Sequence, residues 1–318
     1  MSGSETQIKA ADASPAAPTV MPWRYALSIC AAALVLGIAG FALTGSAGSM
    51  AATAGFAVGL FAALSGGLKQ ALVAWLGFIA AAALILTFPV LPVLLALCIS
   101  LSALAAVEVA RSGTRVAVMA LMGIILFAIA TERGGDASML ALAALGFWTG
   151  YLVVGHLDLS AILRAPRASL AEAVRLGLFL AVGVALSIGL AMTLDLPHAY
   201  WIVIMFVSRS LMPAQDKPGA LLKYGRGAAL GILAAILIEL AGTPDAGLML
   251  LALAAFVVGL RFMPHPLPIS SAAMTAGVLL ASAPTPDDAT FRAEAVVLFV
   301  ALIALLSLII DFILKRRG

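Results

Sequence analysis

The chain holds 318 residues, 64% of them hydrophobic and only 10% charged, with a mean hydropathy of +1.16. A soluble domain would have to expose apolar sequence on that scale, so soluble folds are excluded and a polytopic membrane protein is what remains. The net charge of +3 comes from basic residues spread among loops, which fits membrane topology and leaves no basic patch for nucleic acid.

Residues 1–20 are polar, small and Pro-containing, which predicts a disordered cytoplasmic tail. Arg24 opens a first span, near 25–43. The TGSAGSMAA that follows weakly resembles a signal-peptidase site. The apolar run before it is longer than a signal core, and a matching segment recurs later, so it is read as a span. Further spans are expected near 50–65, 71–88, 90–108, 115–131 and 137–156. A more polar cytoplasmic connector covers 157–174. The second set is expected near 175–194, 198–212, 224–242, 246–260, 266–282 and 293–314. The count is twelve, falling to ten or eleven if the short spans do not cross.

Charge supports an even count. With the N-terminus inside, only Arg133 and Arg292 of the 18 basic residues fall outside. The outer loops carry Glu132, Asp136, Asp195, Asp245, Asp287, Asp288 and Glu294 instead. This is the positive-inside pattern, and it predicts that both termini are cytoplasmic.

The two halves resemble each other. VAWLGFIAAAALIL from Val73 aligns with GAALGILAAILIEL from Gly227, and LLALC from Leu94 with LLALA from Leu250. Arg24 before the first span matches Arg175 before the seventh. The expected fold is therefore an all-α transmembrane bundle of about twelve spans, built as two parallel six-helix repeats at 21–156 and 175–318. GxxxG pairs at Gly55–Gly59, Gly146–Gly150 and Gly227–Gly231 are expected at close helix contacts. Cys30 and Cys98 lie inside apolar runs and suit packing.

The most irregular stretch is His198–Gly231. Its apolar run meets Pro213 after about 15 residues, or ~22 Å, short of the ~30 Å hydrocarbon core. Asp216 and Lys217 follow in a loop. A new helix opens with Lys223, Tyr224 and Arg226 in its first turn. The short run has a short, Gly-rich partner in the first half, SMAATAGFAVGLFAALSGG. Matching interrupted segments in two halves point to a transport site.

Enzyme chemistry finds no support. There is no HExxH, no GxSxG elbow, no paired Asp-rich motif for diphosphate and no P-loop lysine. His156, His198 and His265 are scattered at span ends. No metal or other cofactor is expected.

The candidates that remain are polar groups in or beside spans. Arg226 and Lys223 fit positive flanks, or a grip on an organic anion; only the arginine can bind a carboxylate through two parallel bonds. Arg209 stands about eleven residues into its run, deeper than a flank needs. Tyr200 and Trp201 fit an interfacial belt, or a stacking surface for an aromatic ring. Glu239, near the end of its helix, can gain and lose a proton. Glu108 and Asp311 flank cytoplasmic ends.

Tyr200-Trp201 at the start of a span, Pro213 after it, then Arg226 and Gly231 on a small-rich helix resemble the fusaric-acid-resistance family of aromatic acid exporters. Arg226 is followed here by Gly227-Ala228 rather than the family's usual Gly-Thr. The large cytosolic domain of many relatives has no counterpart, so the chain is similar to small, membrane-only members. The resemblance implies proton-driven export of aromatic or related organic acid anions across the bacterial inner membrane. It also implies a separate periplasmic adaptor, and it admits a homo-oligomer. On that reading Tyr200, Trp201, Arg209, Lys223 and Arg226 contact the substrate and Glu239 couples the proton. A passive organic-anion channel and a non-transporting scaffold for the adaptor are the alternatives.

Overall fold

The structure, a computed structural model, describes residues 20–63, 67–157, 167–194, 200–211, 220–263 and 268–282. The described residues form helices joined by turns, with no strand among them. In chain order the helices are α1 Trp23–Ala63, α2 Leu68–Thr87, α3 Leu91–Arg111, α4 Val116–Glu132, α5 Ser138–Leu157, α6 Leu170–Leu194, α7 Tyr200–Arg209, α8 Ala220–Leu240, α9 Asp245–Phe262 and α10 Pro268–Ser282. Five of them, α1, α2, α3, α5 and α6, are long and apolar enough to cross a membrane. That is the build of a helical multi-pass membrane protein. The span expected near 293–314 lies outside the described residues.

α1 is two arms rather than one rod. Thr44 (φ −141°, ψ 24°) and Gly45 (φ 69°, ψ −153°) leave helical geometry, and a positive φ with that ψ is open to glycine and few other residues. The chain doubles back there, bringing Gly40 against the backbone of Gly48. A straight helix would hold those two residues about 12 Å apart. The first two expected spans are thus one tight hairpin. The TGSAGSMAA segment forms its turn and the start of its second arm.

The second arm lies along α5 with almost no space between them. A Cβ on Gly55 or Gly59 would run into the carbonyls of Ala143 or Phe147, and one on Gly146 or Gly150 into those of Ala52 or Phe56. Each glycine pair therefore faces the other helix's backbone, and the two helices run in the same direction. Glycine permits this approach, and dispersion over the long contact holds it in a solvent that offers no hydrophobic drive. Gly227 and Gly231 of α8 meet α10 in the same way, against the carbonyls of Pro268 and Ala272. Gly77, the residue that sequence alignment pairs with Gly231, has nothing within 4 Å of a would-be Cβ. The two halves differ at that point.

α4 sits at the centre. It is apolar on all sides, and Val116 through Ala130 are buried on nearly every face. A helix of that kind needs neighbours all round, and α4 packs against α1, α2, α3 and α7. Its start is held by Glu108 at the end of α3. That carboxylate accepts the Val116 and Ala117 N–H groups at 2.9 and 2.7 Å and the Thr114 hydroxyl at 2.6 Å. An anion on the open N–H groups of a helix start satisfies them and opposes the helix dipole. α6 begins with a reciprocal cap, in which Ser169 donates to Glu172 and the Glu172 N–H donates back to the Ser169 hydroxyl.

Two further contacts tie early helices to late ones. α3 packs on α6, and α9 packs on α1. At the first junction the Ala168 N–H donates to the Val109 carbonyl at 3.2 Å. At the second, Met21 N–H donates to the Arg261 carbonyl at 2.9 Å, and the Arg261 guanidinium donates to the Met21 carbonyl at 2.9 Å. That guanidinium also lies 4.3 Å over the Trp23 ring.

Candidate functional site

The candidate site lies where α7 ends. The described part of α7 has 10 residues, about 15 Å of rise, and its helical geometry stops at Arg209. At its far end the helix gives way to a turn at Ser210 and Leu211, inside the run expected over 198–212, of which residues 198, 199 and 212 lie outside the described residues. α7 packs between α6 and α4. Val203, Ile204, Phe206 and Val207 are buried. The Phe206 ring stacks on Phe179 of α6 at 4.7 Å, over Gly183, where any side chain would collide with it. The last residues tighten into a turn, with the Ser210 N–H on the Val207 carbonyl and the Leu211 N–H on that of Ser208. Ser210 and Leu211 are buried as well.

The carbonyl of Ser210 accepts a hydrogen bond from the Arg115 guanidinium. Arg115 stands just before α4 and is only 6% exposed. A helix end leaves carbonyls without intrahelical partners, and it carries partial negative charge. A guanidinium answers both needs. Arg115 counts in the sequence only as one flanking cation among many. Nothing in its neighbours shows that it turns inward; the signal is tertiary, since its partner lies 95 residues further on.

The other expected site residues are placed as follows. Tyr200, Trp201 and Arg209 belong to α7 by backbone, and their side chains lie outside what is described. α8 is helical from Ala220, ahead of the start expected near 224, and it carries Lys223 and Arg226. Both are exposed and head an outward stripe that continues through Leu230, Leu233 and Leu237. Gly227, beside Arg226, faces inward onto α10. Glu239 is half-buried near the far end of α8, with its Oε2 atom shielded from solvent. Thirteen residues separate it from Arg226, about 20 Å along the helix. The structure does not bring the two together.

One aromatic cluster was not singled out from sequence. Trp75 of α2 and Trp148 of α5 lie 5.8 Å apart, and Trp148 meets Phe147 and Tyr151 edge-on at 5.5 and 5.6 Å. Only the packing of α2 on α5 assembles it. Cys30 and Cys98 are free and buried, and no three metal-ligating side chains gather among the described residues. Comparison with family models, with curated proteins and with solved structures gives no match.

Proposed function

We propose that this chain is a secondary transporter of the bacterial inner membrane that exports aromatic or related organic acid anions, driven by the proton gradient. The observation that carries the reading is the end of α7, which closes in a buried turn at Ser210 and Leu211 and is met there by the buried Arg115 guanidinium. Interrupted helices at membrane depth are tolerated where they line a path or a site, and cations there are costly unless they serve one. The likeness of Tyr200-Trp201, Pro213, Arg226 and Gly231 to the aromatic acid exporters supports the choice of substrate.

Lys223 and Arg226 then stand at the mouth and collect the anion, and the end of α7, with Arg209, holds it. Tyr200 and Trp201 contact its ring. Glu239 takes the proton at the opposite end of α8. With the cations inside, that end faces the periplasm, where the driving protons enter. The two-repeat, twelve-span part of this reading is supported by the exchanged packing of α3 on α6 and α9 on α1. Under it these are the fourth span on the seventh and the tenth on the first.

The test is flux in proteoliposomes holding the purified chain, with labelled benzoate as probe. Arg226→Lys keeps the charge and so the topology signal, but loses the two-pronged grip on a carboxylate. The variant is expected to insert normally and to raise the half-saturating concentration about tenfold, the effect of one charged hydrogen bond. Unchanged saturation would return Arg226 to a plain flank. Wild-type flux that follows the anion gradient and ignores pH would make the protein a channel.

A further inference from the structure

We propose that Arg115 is a positioning residue for substrate: from the first half of the chain, it holds the closing turn of α7 in the second half. The inference rests on the transport reading for its functional consequence and on geometry alone for its structural one.

The end of α7 is fixed from two sides. On the α6 side, Phe206 is clamped between Phe179 and Gly183. On the α4 side, the only hydrogen bond described to the Ser210 carbonyl comes from Arg115. Arg115 is itself set by the turn between α3 and α4, because Glu108 fixes the first N–H groups of α4 immediately after it. Glu108 thus fixes the backbone that adjoins Arg115, and the Arg115 side chain reaches across to Ser210. The residue before Ser210 is Arg209, the deepest cation of the proposed anion site. Loss of the guanidinium leaves a buried carbonyl unmet at a helix end, and the last turn then opens more often. The backbone from Arg209 to Leu211 then loses its fixed place, while the rest of the bundle keeps its glycine and apolar contacts. The predicted effect is weaker substrate binding with little change in maximal rate.

The experiment uses the full chain in membranes, with Leu211→Cys added. Leu211 is 7% exposed and follows Ser210 directly. Native Cys98, 2% exposed on α3, serves as internal control. Alkylation by N-ethylmaleimide is followed at each cysteine by mass. With Arg115→Gln, reaction at position 211 is expected to quicken at least about tenfold and at Cys98 not at all. Arg115→Lys keeps the charge but gathers its donors on a single nitrogen at shorter reach, and is expected to fall between. Should the glutamine variant fail to insert, the lysine variant carries the test.

In benzoate counterflow, the glutamine variant is expected to raise the half-saturating concentration about tenfold and to keep the maximal rate within about twofold, with partial rescue by lysine. A role confined to global stability would lower the maximal rate instead and expose both cysteines together. Either of those results, or an unchanged rate at position 211 in both variants, overturns the proposal. So does an opened position 211 with unchanged saturation. Absence of counterflow in the wild type would remove the transport reading, and the labelling would still decide whether Arg115 holds the helix end.

Discussion

At the scale of single residues, the close helix contacts rest on the absence of side chains. Gly59 faces the Phe147 carbonyl and Gly77 faces open space. Gly59→Ala is therefore expected to force the second arm of α1 off α5 and to cost about 1–3 kcal/mol, the range for overpacking. Gly77→Ala is expected to be neutral or to stabilise by up to about 1 kcal/mol through helix propensity. Thermal unfolding of the two variants in detergent checks both signs. The GxxxG spacing is visible in the sequence because it is periodic. Which pair meets which is not, since Gly55–Gly59 and Gly146–Gly150 lie far apart in the chain. Arg115 shows the same limit. Its charge suits the positive-inside count, and its inward turn depends on a helix end that no local pattern announces.

At the scale of elements, helix existence was the most legible feature. Apolar runs and polar breaks mark most helices within a few residues. The turn at Thr44–Gly45 was legible as a gap between spans, but the tightness of the hairpin was not, because it depends on Gly40 meeting Gly48. The cap on α4 was missed. Glu108 reads as a flanking charge, yet its carboxylate closes the start of the central helix. Glu108→Ala is expected to lower stability by about 0.5–2 kcal/mol, as loss of a helix cap does, with Glu108→Gln milder. Chemical denaturation in mild detergent measures the difference. An equal cost for both variants would mean that charge at the helix start, rather than a bond acceptor, is what matters there.

At the scale of the whole molecule, the two halves are interleaved. The Met21–Arg261 and Val109–Ala168 contacts join the residues before one helix to the end of another at distant points of the chain. The packing of α3 on α6 and of α9 on α1 is tertiary, and no similarity between stretches of sequence announces it. Under the proposed orientation both junctions lie at the cytoplasmic face. With Cys30 and Cys98 replaced, a cysteine introduced by Ser169→Cys should react with an impermeant maleimide only from the cytoplasm, and one from Ala137→Cys only from outside. The reverse at Ala137 would break the proposed topology.

Proton-coupled export stands or falls at Glu239. A coupled exporter needs a group that changes charge between its two access states. Glutamine keeps the shape of Glu239 and removes the titration. In proteoliposomes with an imposed pH gradient, uphill benzoate flux and benzoate counterflow are measured side by side. Uphill flux is expected in the wild type and lost in Glu239→Gln, with counterflow retained in both, since exchange moves no net proton. Uphill flux unchanged in the glutamine variant would contradict Glu239 as the coupling group, and a wild type without pH-driven flux would contradict the exporter itself.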